Sequence, residues 1–375
     1  MKKKRSLMGT KVATHVPVED LNAQIAGLLR DLASVQKSTQ SKWGYKRAAS
    51  AVRNLDAPIE SYLQPDGTLK KIQHIGPAST RVILEVLQTG ESPTVAAAIE
   101  ASGDTSKAEQ SRMWRQNFLT RSRVLDALNN AALTGPTKAQ YRGDLQMHST
   151  WSDGSQSLDD IAVEALARGY EYCAVTDHSY GLPIAGGLSM DRFKQQHAEI
   201  DALNEEYAGR FRLLKGVEAN IRADGTVDMT ASELRTFEIV VAAPHAALRV
   251  ATDQTARMID AVRTKGVHIL GHPRGRMYGS RPGVTADWPK VFAAAKKANV
   301  AIEIDGDPSR QDIDYELAKE AVAVGCLFAL DTDAHGTLDF NYVDTAIAHA
   351  RLAGVPVELV INTWPLDRLL KWARR

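Results

Sequence analysis

Two rhythms of apolar and polar residues divide the chain. Between residues 18 and 102, apolar positions recur at helical spacing. VEDLNAQIAGLLRDLASVQ is one such stretch, with Asp20 placed to cap it, and YKRAASAVRNL is a second. LKKIQHIGPASTRVILEVLQTG predicts two short helices around a Gly-Pro turn, closed by Gly90, and TVAAAIEASG predicts one more. Residues 104–131, DTSKAEQSRMWRQNFLTRSRVLDALNNA, predict a basic helical stretch. From residue 143 the pattern changes. Short strand-like runs (GDLQMH, YCAVTDH, FRLLKGVE, IVVAAPH, VHILGH, VAIEIDG, LFALDTDAH) are separated, in many cases, by amphipathic segments such as SLDDIAVEALARG and DYELAKEAVAVG. Apolar strands alternating with helices predict a parallel, barrel-like α/β domain. The expected division is a tail over 1–17, a helical domain over 18–102, a helical linker over 103–141 and an α/β domain over 142–375.

Composition changes this picture in two places. The chain has 375 residues, enough for two or three domains, with an ordinary 44% of hydrophobic and 24% of charged residues. No apolar run approaches the roughly 18–20 residues that span a bilayer, so no membrane partner is expected. MKKKRSLMGTKV is basic without an apolar stretch after it and reads as a basic tail, not a signal peptide. Cys173 and Cys326 both lie in strand-like runs and read as core residues of a reducing, cytoplasmic protein. Charge is split: residues 1–140 hold 20 Lys+Arg against 12 Asp+Glu, and the remainder 26 against 33. A basic front suits a polyanion, and an acidic back suits cations.

The candidate chemistry sits where the strands end. His148, His178, Glu218, His245, His272, Asp333 and His335 are spread over nearly two hundred residues, yet each closes or follows a strand-like run. A closed βα repeat gathers the carboxyl ends of its strands at one mouth. Imidazole and carboxylate gathered there make a shell for divalent metal, which lowers the pKa of water toward ~7 and offsets charge on a phosphoryl group. GxSxG, Walker A and CxxC motifs are absent from the sequence. His15, His197, His268 and His349 lack such a setting and read as structural.

The motifs RGDLQMHSTWSDG, AVTDHS, KGVEANI, APHAAL, LGHPRGR, EIDGDPSRQD and DTDAH match in order those of the PHP (polymerase and histidinol phosphatase) superfamily. The resemblance spans 143 to about 363 and implies a distorted (β/α)7 barrel with two to three divalent ions (manganese or zinc, with iron a further option). It implies that Gln146, His148, Glu218 and Asp333 hold one ion. Glu218, His245 and His272 would hold a second, with Glu218 bridging, and Asp153, His178 and His335 a third. Glu218, His178 and His335 are thus expected at the centre of catalysis. One departure is Gln146, where the first motif usually has histidine; PHP domains attached to family X DNA polymerases are similar in this. A carboxamide oxygen is a weaker, harder ligand than imidazole and favours manganese over zinc. Asp177 reads equally as a carboxylate supporting His178 or as a strand-end cap. Arg274, Arg276 and Arg310 follow strand ends in loops, where guanidinium can fork onto phosphate.

The front region adds a partner. LKKIQHIGPASTRVILEVLQTG looks like a helix–hairpin–helix, with His74, Ile75, Gly76 and Pro77 as its turn. Amides at the start of its second helix can hold a DNA phosphate without reading a base, and Lys70, Lys71 and Arg81 flank it. Residues 18–102 resemble the amino-terminal DNA-binding domain of family X DNA polymerases. Only about 40 residues separate this region from the barrel, too few for a polymerase palm, and no paired-aspartate motif lies between. The expected function is a metal-dependent phosphoesterase acting on gapped or broken duplex DNA regardless of sequence, as a 3′–5′ exonuclease or 3′-phosphatase, with no DNA synthesis. The alternatives are a small-molecule phosphomonoesterase of the histidinol phosphatase kind and a non-catalytic DNA-binding adaptor.

Overall fold

The structure, a computed structural model, describes residues 20–374; the basic tail expected over 1–17 lies outside them. The front of the chain is all helical. Helices α1 (Leu21–Ser34), α2 (Thr39–Arg53), α3 (Pro77–Thr89) and α4 (Pro93–Ser102) close over their own core of Ile25, Leu29, Ala49, Val52, Ile83, Val86 and Val95. Asp20 caps α1, its carboxylate accepting from Ala23 N. Gly90 ends α3 in the left-handed conformation at φ 79°, as the sequence leads one to expect.

The first of the two short helices expected in 69–90 does not form. Gln64 and Thr68 close a turn over Asp66-Gly67, Leu69 pairs antiparallel with Leu63, and Lys70 N donates to Tyr62 O. Those backbone groups are committed to a small hairpin, and a single turn at Gln73-His74, closed by Ile75 N on Ile72 O, leads from it to Gly76-Pro77. The basic stretch 104–131 also divides, into α5 (Thr105–Met113) and α6 (Arg121–Asn129). Asn117 sits at φ 60°, which breaks the helix between them. Helix α5 belongs to the front: Arg112 and Arg115 both bind the buried Asp31, at 2.6 and 2.5 Å. Helix α6 packs through Val124 and Ala127 on Ala348 of the α/β domain.

Six strands follow, all parallel and in consecutive order: β1 (Tyr172–Val175), β2 (Arg212–Ile221), β3 (Ile239–Pro244), β4 (Ile269–Leu270), β5 (Ala301–Asp305) and β6 (Leu327–Asp331). Residues 143–148, the expected first strand, form no regular ladder, yet they bridge the sheet's two edges. Ala174 N and Thr176 N donate to Asp144 O and Met147 O on the β1 side. On the β6 side, His148 N donates to Ala334 O and Asp333 N to Gln146 O. The result is a distorted α/β barrel. Helices α7 (Leu158–Ala167), α8 (Met190–Glu206), α9 (Ala231–Leu234), α10 (Thr255–Arg263), α11 (Trp288–Ala298), α12 (Tyr315–Val324) and α13 (Val343–Ala353) follow in the connections, and apolar faces of most of them share one large core with the outer faces of the strands. A second, inner core of Leu145, Tyr172, Leu214, Ile239, Val241, Ile269, Ala301 and Ala329 is closed by Trp364 and by α14 (Leu366–Ala373) with Leu369 and Trp372. Strand periodicity then carries the same inward faces from apolar to acidic: Ala301, Glu303, Asp305 along β5 and Ala329, Asp331 along β6. No helix of the described residues is long and apolar enough to cross a membrane.

Candidate metal centre

Each strand delivers its polar residue to one mouth because its apolar length is taken up by the core. Glu218, on β2, is the hub. Its Oε1 lies 3.1 Å from His245 Nε2 and 3.0 Å from His272 Nε2; its Oε2 lies 3.2 Å from His148 Nε2 and 3.4 Å from His178 Nδ1. Each carboxylate oxygen therefore sits between two imidazoles. His148 Nε2 is also 3.0 Å from Asp333 Oδ1. Asp153, half exposed on the loop after residue 148, lies 3.6 Å from His178 Nε2, 3.6 Å from His335 Nε2 and 3.8 Å from His148 Nδ1. The rings of His178 and His335 stand 4.4 Å from that of His148.

The side chains gather in overlapping clusters. His178 belongs to two clusters, one with Asp153, His148 and His335 and one with Glu218 and His245; His148 likewise joins Glu218 and Asp333. Gln146 is fully buried, and its Oε1 is near Gly271, where an added Cβ would lie 3.1 Å from it. Asp333 turns inward through a left-handed backbone at φ 53°, a conformation that costs a non-glycine residue about 1 kcal/mol or more.

Several groups are preset for cation binding. Nδ1 of His335 donates to Asp333 O at 2.7 Å, which leaves the Nε2 lone pair facing Asp153. Nδ1 of His245 meets Asn220 Oδ1 at 3.1 Å, which turns Nε2 to Glu218. Asn220 was not singled out in the sequence, though it lies two residues beyond Glu218 on the same strand, a spacing that marks one face. The buried Gln146 Oε1 finds no hydrogen-bond partner among the described residues, while Glu218 Oε2 faces His148 and His178 and Asp333 Oδ2 faces the Arg310 guanidinium. Leaving an acceptor so buried is costly unless something polar or cationic meets it. The donor set of imidazole, carboxylate and carboxamide oxygen fits divalent metal.

The electrostatics agree. Burial pushes the Glu218 carboxyl up, but the histidines around it, His178 and His245 foremost, overcome this and hold it well below the usual carboxylate range. Burial also works against ionised Asp333, and Arg310 with His148 reverses it. Beneath this charged layer lies a second set of carboxyls, Asp144, Glu303, Asp305 and Asp331, all raised first by burial and then by neighbouring carboxylates such as Asp333 and Asp331. Glu303 accepts the His272 N–H.

The expected arginines separate. Arg310 stays at the cluster, its guanidinium 3.0 Å from Asp333 Oδ2. Arg274 turns elsewhere: its guanidinium is engaged by Asp312 and Asp314. Arg276 likewise binds Asp314 at 3.0 Å and carbonyls of Gln116, Arg310 and Gln311. Asp177 touches none of the histidines by hydrogen bond. It accepts from Ser149, Ser152 and Gln196 and so fastens the turn that carries Asp153.

At the front, Lys70, Lys71, His74, Gly76 and Arg81 are all exposed. Lys70 and Lys71 form no salt bridge among the described residues. Helix α3 starts at Gly76-Pro77 with no side-chain cap, and an added Cβ on Gly76 would meet nothing within 4 Å. This domain docks at the rim of the barrel mouth, where Arg53 donates to Pro308 O at 3.0 Å.

Residues 20–92 match the helix-hairpin-helix domain family. The chain is 37% identical over 237 residues to a DNA polymerase/3′-5′ exonuclease PolX of Bacillus subtilis, an alignment spanning 63% of this chain and 41% of that protein. It is 30% identical over 243 residues to a protein named probable phosphatase of Caldanaerobacter subterraneus, spanning 62% of this chain and 91% of that one. A solved histidinol phosphate phosphatase from Lactococcus lactis, complexed with zinc, L-histidinol and phosphate, superposes with a TM-score of 0.43 and 18% identity over 56% of this chain and 94% of that one. With the barrel, the strand-end histidines and carboxylates and the Bacillus and Caldanaerobacter relatives in place, the chain belongs to the PHP superfamily of metal-dependent phosphoesterases and carries a helix–hairpin–helix domain ahead of its barrel.

Proposed function

We propose that the protein trims or dephosphorylates 3′ ends of DNA at gaps or breaks. Two or three ions would be held by Gln146, His148, Asp153, His178, Glu218, His245, His272, Asp333 and His335, with Glu218 shared between two of them. Bound there, divalent cations supply a water of raised acidity and neutralise phosphoryl charge. The chain's own part is positioning. Glu218 fixes the spacing of its four imidazoles. Arg310, held beside Asp333, presents a guanidinium fork to a phosphoryl oxygen. Asn220 and the Asp333 carbonyl keep His245 and His335 in the tautomers that leave Nε2 free.

The observation that carries the choice of DNA is the uncapped start of α3, with exposed Lys70, Lys71, His74 and Arg81 around it, on a domain docked at the barrel's rim. Free amides and exposed cations hold phosphate oxygens of any sequence. The relation to the Bacillus protein, a 3′-5′ exonuclease by name, supports the same end of the strand. Between the two domains, residues 103–141 hold only the short helices α5 and α6 and a single 3-10 turn, so no palm is expected there and no DNA synthesis with it. A cytoplasmic location fits this work.

The test incubates the full chain with Mn²⁺ and gapped duplexes labelled at the 5′ end of the interrupted strand, bearing either a 3′-hydroxyl or a 3′-phosphate. Loss of the phosphate or stepwise shortening from the gap is the expected result. Labelled DNA left intact by a preparation that hydrolyses histidinol phosphate would replace this reading with the small-molecule phosphatase. Binding of both duplexes without hydrolysis of either substrate would mark an adaptor.

A further inference from the structure

The loop that carries Arg310 is not held by the barrel alone. Four consecutive carbonyls, from residues 308 to 311, are each taken by a donor from elsewhere. Pro308 O accepts from Arg53, at the end of α2, at 3.0 Å; Ser309 O accepts from Tyr278 N at 2.8 Å; Arg310 O and Gln311 O accept from Arg276, both at 2.9 Å. The Arg53 guanidinium also lies 3.8 Å above the Tyr278 ring, so it grips this loop and its neighbour together. Behind them, Leu119 of the connecting segment exchanges two hydrogen bonds with the Gln311 side chain, at 2.7 and 3.0 Å. Gln311 itself sits at φ 46°, a left-handed backbone that a non-glycine residue keeps only when its surroundings hold it.

We infer that Arg53 is a positioning residue: the front domain, through Arg53 on Pro308 and Tyr278, sets the loop that aims Arg310 at the metal centre. The helix–hairpin–helix domain is then a structural part of the phosphate site as well as an anchor for DNA. The hydrogen bond and ring stacking of Arg53 go to this loop and its neighbour, so its influence on the cluster runs through the loop. This rests on the proposed contact of Arg310 with phosphate. A fault of ~1 Å in a positioning group is enough to weaken a binding contact several-fold.

The experiment compares Arg53→Met, Arg53→Lys, Arg310→Ala and the double variant Arg53→Met/Arg310→Ala, all as full chains, with a small aryl phosphate as substrate and inorganic phosphate as inhibitor. DNA is left out so that hairpin binding does not contribute. Arg53→Met should raise KM and the phosphate inhibition constant together by about threefold to tenfold, the range expected when a cation–π interaction and a hydrogen bond to a carbonyl are removed at one step from the site. Metal content and kcat should change little, and Arg53→Lys should recover part of the loss. In the Arg310→Ala background, Arg53→Met should add nothing, because the aimed group is already gone. If Arg310→Ala raises KM but Arg53→Met leaves it unchanged, or if the two effects simply add, the positioning role is wrong while the phosphate reading survives. If Arg310→Ala itself leaves KM and phosphate inhibition unchanged, Arg310 does not touch phosphate and the proposed role of that residue falls first. An Arg53→Met chain that fails to fold shifts the decision to Arg53→Lys, where an unchanged KM and additivity with Arg310→Ala would equally overturn the inference.

Discussion

The barrel mouth and the hairpin turn both gather charge, but in opposite ways. At the mouth, Gln146, His148, Glu218, His272 and Asp333 are buried, and nearly every polar atom has a fixed neighbour or a conspicuous lack of one. At the turn, Lys70, Lys71, His74 and Arg81 stand in water around an uncapped helix start. A buried site makes each residue count separately, since losing one leaves the others desolvated and unpaired. An exposed site works by the sum of weak, screened interactions. Substitutions should therefore give large, specific effects in the first region and small, salt-dependent ones in the second.

The largest effect is expected at Glu218. Glu218→Ala removes the one carboxylate that both halves of the cluster share, so hydrolysis should fall by about 10³-fold or more, with a loss of one to two bound ions. Metal analysis of the purified variant beside its turnover of an aryl phosphate checks this. A variant with full metal content and full activity would remove Glu218 from the centre.

Next come the two arginines that the sequence could not tell apart. Arg310→Ala should raise KM for a phosphate ester by about 10- to 100-fold, the size of a charge-assisted hydrogen bond at a dry site. Arg274→Ala should leave KM near wild type and instead lower the urea midpoint, because Asp312 and Asp314 lose a buried partner. The reverse pattern would show that Arg274 reaches the substrate.

That pair shows where reading the sequence stops. The histidines and carboxylates were legible because strands hide their apolar residues at a period of two and must end where the next group is polar; Glu218 in KGVEANI and His245 in VVAAPH have no other place to go. The hub role of Glu218, with four imidazoles around two oxygens, depends on closure of the barrel, which the order of the motifs implies but their spacing does not. Loop groups were not legible. Arg274 and Arg310 both follow strand ends, and only the positions of Asp312, Asp314 and Asp333 in space decide which one stays at the mouth. The break at Asn117 escaped for the same reason. The segment between α5 and α6 binds through Leu119 to Gln311, 192 positions away in sequence. The missing first hairpin helix had a local signal in Asp66-Gly67, a turn dipeptide whose closure commits Leu69 and Lys70 to extended pairing.

At the hairpin the effects should be smaller and should vanish with salt. Lys70→Ala combined with Lys71→Ala is expected to weaken DNA binding several-fold at low ionic strength and to lower the slope of log K against log salt by about 0.9 for each phosphate that is no longer neutralised. Hydrolysis of an aryl phosphate should not change. Gly76→Val places its side chain where the helix start is open, so duplexes of every sequence should lose affinity about equally. A loss confined to one sequence would mean that the turn reads bases.

The smallest effect at neutral pH, and the clearest mark of burial, is expected at His349. It lies in α13 behind the Arg310 loop, where Nδ1 accepts from Tyr315 N at 3.0 Å and Nε2 donates to Gln311 Oε1 at 2.8 Å. Burial, aided by the nearby Arg276, lowers its pKa to about 3. In the unfolded chain the same imidazole titrates near ~6.5. Below that pH the unfolded state binds the proton and the folded state does not, so stability is full above about 6.5 and is lost as pH falls toward the folded value, by at most ~1.4 kcal/mol per unit. His349→Gln keeps a polar group in the place without a titrating one. Its urea midpoint should match or fall slightly below wild type at pH 7.5, and the gap should close or reverse by pH 5. Parallel curves for the two proteins from pH 7.5 to 5 would mean that the folded protein accommodates the charge at His349. The loop it supports would then be softer than the buried hydrogen bonds imply, and the contrast between a rigid mouth and an adaptable hairpin would weaken with it.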